Sequence, residues 1–142
     1  MRRYYEFAVV VLLLSLLALL LMQALQQAQR ATEEVGVQTE AAAIRLQLIE
    51  TMAHRETFGG KLPDSDNPLV WVAEPPFNYR GEVNEALTEK RVWYFNRSTG
   101  VLNYHFQDGH LARFRLSRAP GRSENPGGMA GVGLLRLEDS KN

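Results

Sequence analysis

Cysteine is missing from all 142 residues. Disulfides, thiolate nucleophiles and cysteine metal sites are therefore excluded, and the redox compartment is left open. Charge of one sign is not in excess, since 16 basic and 16 acidic residues cancel and the basic ones are scattered. Nothing draws such a chain electrostatically to nucleic acid. Proline does not occur before Pro63, Gly36 is the single glycine before Gly59, and no aromatic residue lies between Phe7 and Phe58. The length allows one modest domain plus an anchor, not two full cores. Composition accordingly divides the chain into an apolar anchor, a polar helix rich in Ala, Gln and Glu, and a β-type domain that holds most of the aromatics.

The anchor is residues 7–22, FAVVVLLLSLLALLLM, with Ser15 as its one polar side chain. Continued to Leu25 it makes 19 residues, about 28 Å of helix, which matches the hydrocarbon thickness of a bilayer. Ser15 can satisfy its hydroxyl on its own helix backbone. The run is longer than a signal-peptide core and no small-residue cleavage site precedes a break, so a retained transmembrane helix is expected. Arg2 and Arg3 precede the span, and no charge follows it until Arg30. The positive-inside rule then puts residues 1–6 in the cytoplasm and everything after residue 25 outside it. Glu6 at the mouth of the span has two readings. It snorkels to the headgroups, pairing with Arg2 or Arg3, or it seeks a cationic partner on a neighbouring chain.

Residues 26–57 continue the helix. One seam recurs at 3,4 spacing through Leu25, Ala28, Thr32, Val35, Thr39, Ala42, Leu46, Ile49 and Ala53, a heptad-like pattern. Ile44 and Leu48 add a second apolar face near its end. Covering the chain's own β-domain accounts for Leu46, Ile49 and Met52. It does not account for residues 28–35, which lie too close to the membrane, so Ala28, Val35 and Ala42 are expected to pack against another protein.

Residues 58–142 form the β-rich part. Gly59-Gly60 and Pro63 stop the helix. Apolar or alternating runs predict strands over residues 69–73, 92–95, 101–106 and 110–116, and an edge strand over 132–137. Residues 96–100 make a hairpin loop with Gly100 close to the returning strand, and Arg113 and Arg115 alternate outward. Trp71, Trp93, Tyr94 and Phe95 are sheet core in preference to contact surface. The expected fold class is α+β, an antiparallel meander packed on the C-terminal half of a long helix.

Chemistry finds little support. His54, His105 and His110 lack metal-ligand spacing. Asp64, Asp66 and Asn67 lack the Gly and bidentate Glu of a calcium loop and read as capping and turn residues. Gly128, Gly131 and Gly133 lead into a strand, not a helix, so they make no phosphate cradle. Asn96-Arg97-Ser98 matches a glycosylation sequon but reads as turn chemistry. No catalytic role, cofactor, metal or small-molecule substrate is expected.

With these residues laid out, the plan resembles a type IV pilin or pseudopilin: a short basic N-terminus, a Glu close before a long apolar run, one extended helix half in the membrane, and a sheet on its outer half. Glu6 and residues 7–22 match the membrane portion. Pro76-Phe77-Asn78-Tyr79-Arg80-Gly81-Glu82, followed by Val92-Trp93-Tyr94-Phe95-Asn96 and Leu102-Asn103-Tyr104, resembles minor-pilin-like proteins associated with mannose-sensitive haemagglutinin (MSHA) pilus biogenesis in Gram-negative bacteria. No Gly precedes Glu6, so an uncleaved accessory protein is expected instead of a bulk fibre subunit. The resemblance implies an inner-membrane component of a type IV pilus or type II secretion assembly, with a periplasmic domain and other pilin-like subunits or platform proteins as partners. A divisome-type coiled-coil scaffold and a membrane-tethered ligand-binding module are the alternative classes.

Overall fold

A computed structural model describes residues 1–118 and 132–137. Helix α1 runs Arg2–Phe58 and passes through Gly36 unbroken. The chain falls into two compact units, Met1–Val35 and Gly36–Asn142. The first is helix with exposed side chains along its whole apolar run. Its polar groups close locally, Ser15 Oγ donating to Val11 O at 2.8 Å and Thr32 Oγ1 to Ala28 O at 2.9 Å.

In the second unit α1 packs against a five-stranded mixed sheet, an α+β arrangement. The helix stops where glycine permits it: Gly59 and Gly60 take φ of 76° and 124°, and Gly59 N donates to Arg55 O at 2.8 Å. These left-handed values suit the end of a helix and cost other residues strain. The sheet order is β1 (Tyr79–Val83), β2 (Val92–Asn96), β3 (Val101–His105), β4 (Leu111–Ser117), β5 (Gly133–Leu137). Strands β2 to β5 are the antiparallel meander the sequence predicts, with β5 at an edge. Gly100 (φ 66°) closes the β2–β3 hairpin.

Two elements differ from expectation. The run at residues 69–73 is not a strand. Asn67 Oδ1 accepts from Leu69 N at 3.0 Å and Pro68 holds the first helical position, which turns Pro68–Val70 into a single 3-10 turn. Trp71 is core from this turn, not from the sheet. The second difference is β1, which has no apolar alternation and pairs parallel with β2, so the sheet is mixed. Gly81, at φ 91°, carries the register shift between Tyr79 and Glu82, a glycine bulge in the strand.

A parallel pair needs a connection that returns along the sheet. Residues 84–91 supply it. Eight residues reach about 27 Å when extended and five strand residues take about 17 Å, so this crossing is a short strap with no room for a helix.

The core lies between α1 and one face of the sheet. Val37, Ala41, Ile44 and Leu48 meet Trp93, Phe95, Leu102, Tyr104, Phe114, Leu116 and Leu134. Strand β4 alternates as expected, Ala112, Phe114 and Leu116 inward and Arg113 and Arg115 in solvent. Arg45 Nε donates to Leu134 O at 3.0 Å, and Gln47 holds both the N–H and the C=O of Glu74. The helix is thereby tied to β5 on one side and to the segment after Trp71 on the other.

Candidate functional site

The candidate surface is the helix seam, and its position follows from helical geometry. At 3.6 residues per turn, Val37, Ala41, Ile44 and Leu48 point within a few tens of degrees of one another, while Thr39, Ala42, Leu46, Ile49 and Ala53 lie about 150° round the helix. The first set is buried in the core. Of the second, Thr39, Ala42, Leu46 and Ala53 are exposed and Ile49 is half-buried. Leu46, 66% exposed, does not cover the sheet as expected. The second apolar face, Ile44 and Leu48, does so instead, with Met52 packed at its margin. The seam in this unit is a solvent-facing stripe of small side chains centred on one leucine.

In the N-terminal unit Arg2, Arg3, Glu6, Ala28 and Val35 are all exposed. Among the described residues one helix, α1, is long and apolar enough to cross a membrane, and none of its apolar window is buried.

The aromatic set separates by face. Trp93 and Phe95 enter the helix-side core, whereas Tyr94 is buried on the opposite face of the sheet. Register puts Tyr94 opposite Asn103, which itself pairs with Arg113. Burial raises the Tyr94 phenol above its usual pKa, and the Arg113 guanidinium partly offsets this. Trp71 lies under the Arg118 guanidinium, 5.4 Å from its ring centroid, and donates from Nε1 to Ser65 O at 3.0 Å.

Residues 76–82, which carry the resemblance, act structurally. Asn78 O accepts from Trp93 N at 3.1 Å, and Asn78 Nδ2 donates to Arg91 O at 2.9 Å. Tyr79 and Glu82 meet at Asn67, whose Nδ2 donates to Tyr79 Oη and to Glu82 Oε1, each at 2.9 Å. Arg97 Nε donates to Glu82 Oε2 at 2.7 Å. The Asn67 and Arg97 donors hold the Glu82 carboxyl below its ordinary pKa, and burial raises the Tyr79 phenol. Asn67 is thus a buried structural hub. Asp66, beside it, reaches Arg118 at 3.4 Å.

The histidines are dispersed. His54 tilts against Phe58, His105 Nδ1 meets Glu89 O, and His110 stacks on Phe106 and pairs with Asp108. Among the described residues no group of three or more His, Asp or Glu side chains could hold a metal. Asn96 Oδ1 accepts from Ser98 N and Thr99 N, so the sequon asparagine builds the hairpin turn. Gly133 opens β5, while Gly128 and Gly131 lie outside the described residues.

Three features had no signal in the pattern of residues. Glu40 accepts from the Trp93 indole across the core, the Asn67 hub joins residues far apart in sequence, and Phe77 stands 92% exposed after Pro75-Pro76. The nearest thing to a cue is Glu40 flanking the buried helix stripe. Comparison with protein-family models, with curated proteins and with solved structures finds no match to the chain.

Proposed function

We propose that the chain is a single-pass, pilin-like accessory component of a type IV (MSHA-like) pilus or type II secretion assembly. In this reading α1 anchors it in a bacterial inner membrane with Met1 in the cytoplasm, and the sheet domain is periplasmic. It acts by helix packing and protein–protein contact, without catalysis. The observation that carries the reading is the division of labour on α1. One stripe of its outer part is sealed by the chain's own sheet, and the opposite seam through Ala42 and Leu46 is left in solvent. A small-residue seam lets another helix approach closely, which is the packing mode available beside and within lipid. Glu6, exposed at the head of the apolar run, would take a cationic partner there. Arg2 and Arg3 support the orientation.

Co-purification of the full chain after mild solubilisation tests the proposal. Pilus or secretion platform proteins are the expected companions, and recovery of cell-division proteins alone would overturn it.

A further inference from the structure

Over β2 and β3 the sheet is buried on both faces, and α1 covers just one of them. Val92, Tyr94, Val101 and Asn103 are all less than a tenth exposed, yet none belongs to the helix-side core. Register places them together: Val92 opposes His105, Tyr94 opposes Asn103 and Asn96 opposes Val101. The 84–91 strap lies on this outer face, because Glu89 O meets Nδ1 of His105, a residue of that face, at 2.8 Å. Val83 and Leu87 are half-buried and also stand outside the helix-side core.

The fastenings of the strap sit at its ends and are polar. Ser98 Oγ donates to Asn84 O at 2.9 Å. Arg80 clasps Glu89 through two hydrogen bonds, Nε at 3.0 Å and Nη2 at 2.7 Å, with both side chains about half exposed. Lys90 Nζ donates to Gln107 O at 2.9 Å, and Arg91 N to His105 O at 2.6 Å. Arg91 sits at φ 60°, among the described residues the one non-glycine residue in the left-handed region, a conformation that costs an ordinary side chain energy. Exposed ion pairs are worth little, and segments with few buried apolar contacts open below the global unfolding energy. The Arg80–Glu89 clasp is of the first kind, the Ser98, Lys90 and Glu89 hydrogen bonds lie in solvent, and within the strap Leu87 alone is half-buried.

We propose that residues 84–91 form a releasable strap that opens as a unit. Opening breaks the Arg80–Glu89 clasp, lets Arg91 leave its left-handed conformation, and uncovers the Val92, Tyr94 and Val101 face of β2–β3. The core between α1 and the sheet stays folded. The outer face of the sheet is therefore a concealed apolar surface under local control, distinct from the helix seam.

The absence of native cysteine makes single-thiol labelling a clean test. Val101 and Leu102 are neighbours on β3, one buried on the outer face and one in the helix-side core. In the full chain in detergent, a thiol at Val101→Cys is expected to react roughly ten-fold or more faster than one at Leu102→Cys. Adding Glu89→Gln should quicken the first severalfold and leave the second unchanged. Equal rates at the two positions, or equal acceleration of both by Glu89→Gln, would overturn the strap. Hydrogen exchange on the unsubstituted chain gives an independent reading. The Arg91 amide, bonded to His105 O, should exchange ahead of the β3 amides, and merged exchange of the two sets would count against local opening.

Discussion

Trp93 of β2, fully buried in the core, donates its indole N–H to the carboxylate of Glu40 on the helix. The bond spans 53 residues of sequence and locks the rotation of α1 about its own axis relative to the sheet. An apolar stripe alone lets a helix roll by some tens of degrees; a directed bond from a buried donor does not. The orientation that results is the one that turns Ala42 and Leu46 outward.

Glu40→Ala is expected to destabilise the domain by about 1–3 kcal/mol, since it strands a buried N–H that had a charged acceptor. Glu40→Gln keeps an acceptor oxygen and should recover most of the loss. Denaturant midpoints followed by tryptophan fluorescence measure both. Equal effects of the two substitutions would mean that the carboxylate contributes through charge and not through the indole bond.

Asn67 joins the 3-10 turn to β1 by donating to Tyr79 Oη and Glu82 and accepting from Leu69 N. Asn67→Ala should cost about 2–3 kcal/mol through the unmet groups it leaves. Asn67→Asp should be worse, because it removes both donors and places a second carboxylate against Glu82. The measurement is again the unfolding midpoint, and an Asp variant as stable as the parent would show that the hub is not closed in solution.

Stability should fall in acid through Glu82 and Glu89. Asn67 and Arg97 hold the Glu82 carboxyl below its ordinary pKa, and Arg80 does the same for Glu89. A carboxyl lowered in the folded state contributes stability that is present above its unfolded pKa and lost as pH falls through the folded one. The unfolding midpoint is therefore expected to be flat from neutrality to about pH 5 and to decline below about pH 4. Glu82→Gln should flatten that decline. Tyr79 acts on the other limb: its raised pKa makes stability decline as pH climbs past the unfolded phenol value.

Much of this arrangement is legible in the residues. Gly59-Gly60 end the helix, Gly100 closes the hairpin, and the alternation from Leu111 to Leu116 gives β4 its two faces. Strand β1 is not legible, because Tyr-Arg-Gly-Glu-Val has no apolar period and becomes a strand only by pairing with β2. Residues 69–73 mislead for a related reason. A short apolar run does not distinguish strand from helical turn, and the Asn67 cap with Pro68 decides it. The helix carries two apolar stripes, and periodicity alone does not say which one the sheet takes. Aromatic mass on β2 and the Glu40 bond select Val37, Ala41, Ile44 and Leu48.

Leu46 and Leu48 are two residues apart on α1 and belong to opposite stripes, so they separate folding from assembly. Leu48 is fully buried, and Leu48→Ala should cost about 2–5 kcal/mol, the transfer term plus a cavity. Leu46 is 66% exposed, and Leu46→Ala should change stability by no more than about 0.5 kcal/mol. Partner recovery should show the reverse order. Leu46→Glu, which puts a charge in the middle of the small-residue seam, is expected to leave the unfolding midpoint nearly unchanged and to abolish co-purification of the partner. Ala42→Leu should weaken recovery as well, by filling the space a neighbouring helix needs. Full recovery with both substitutions in a stable chain would take the seam out of assembly and direct the search to Glu6 and the membrane span.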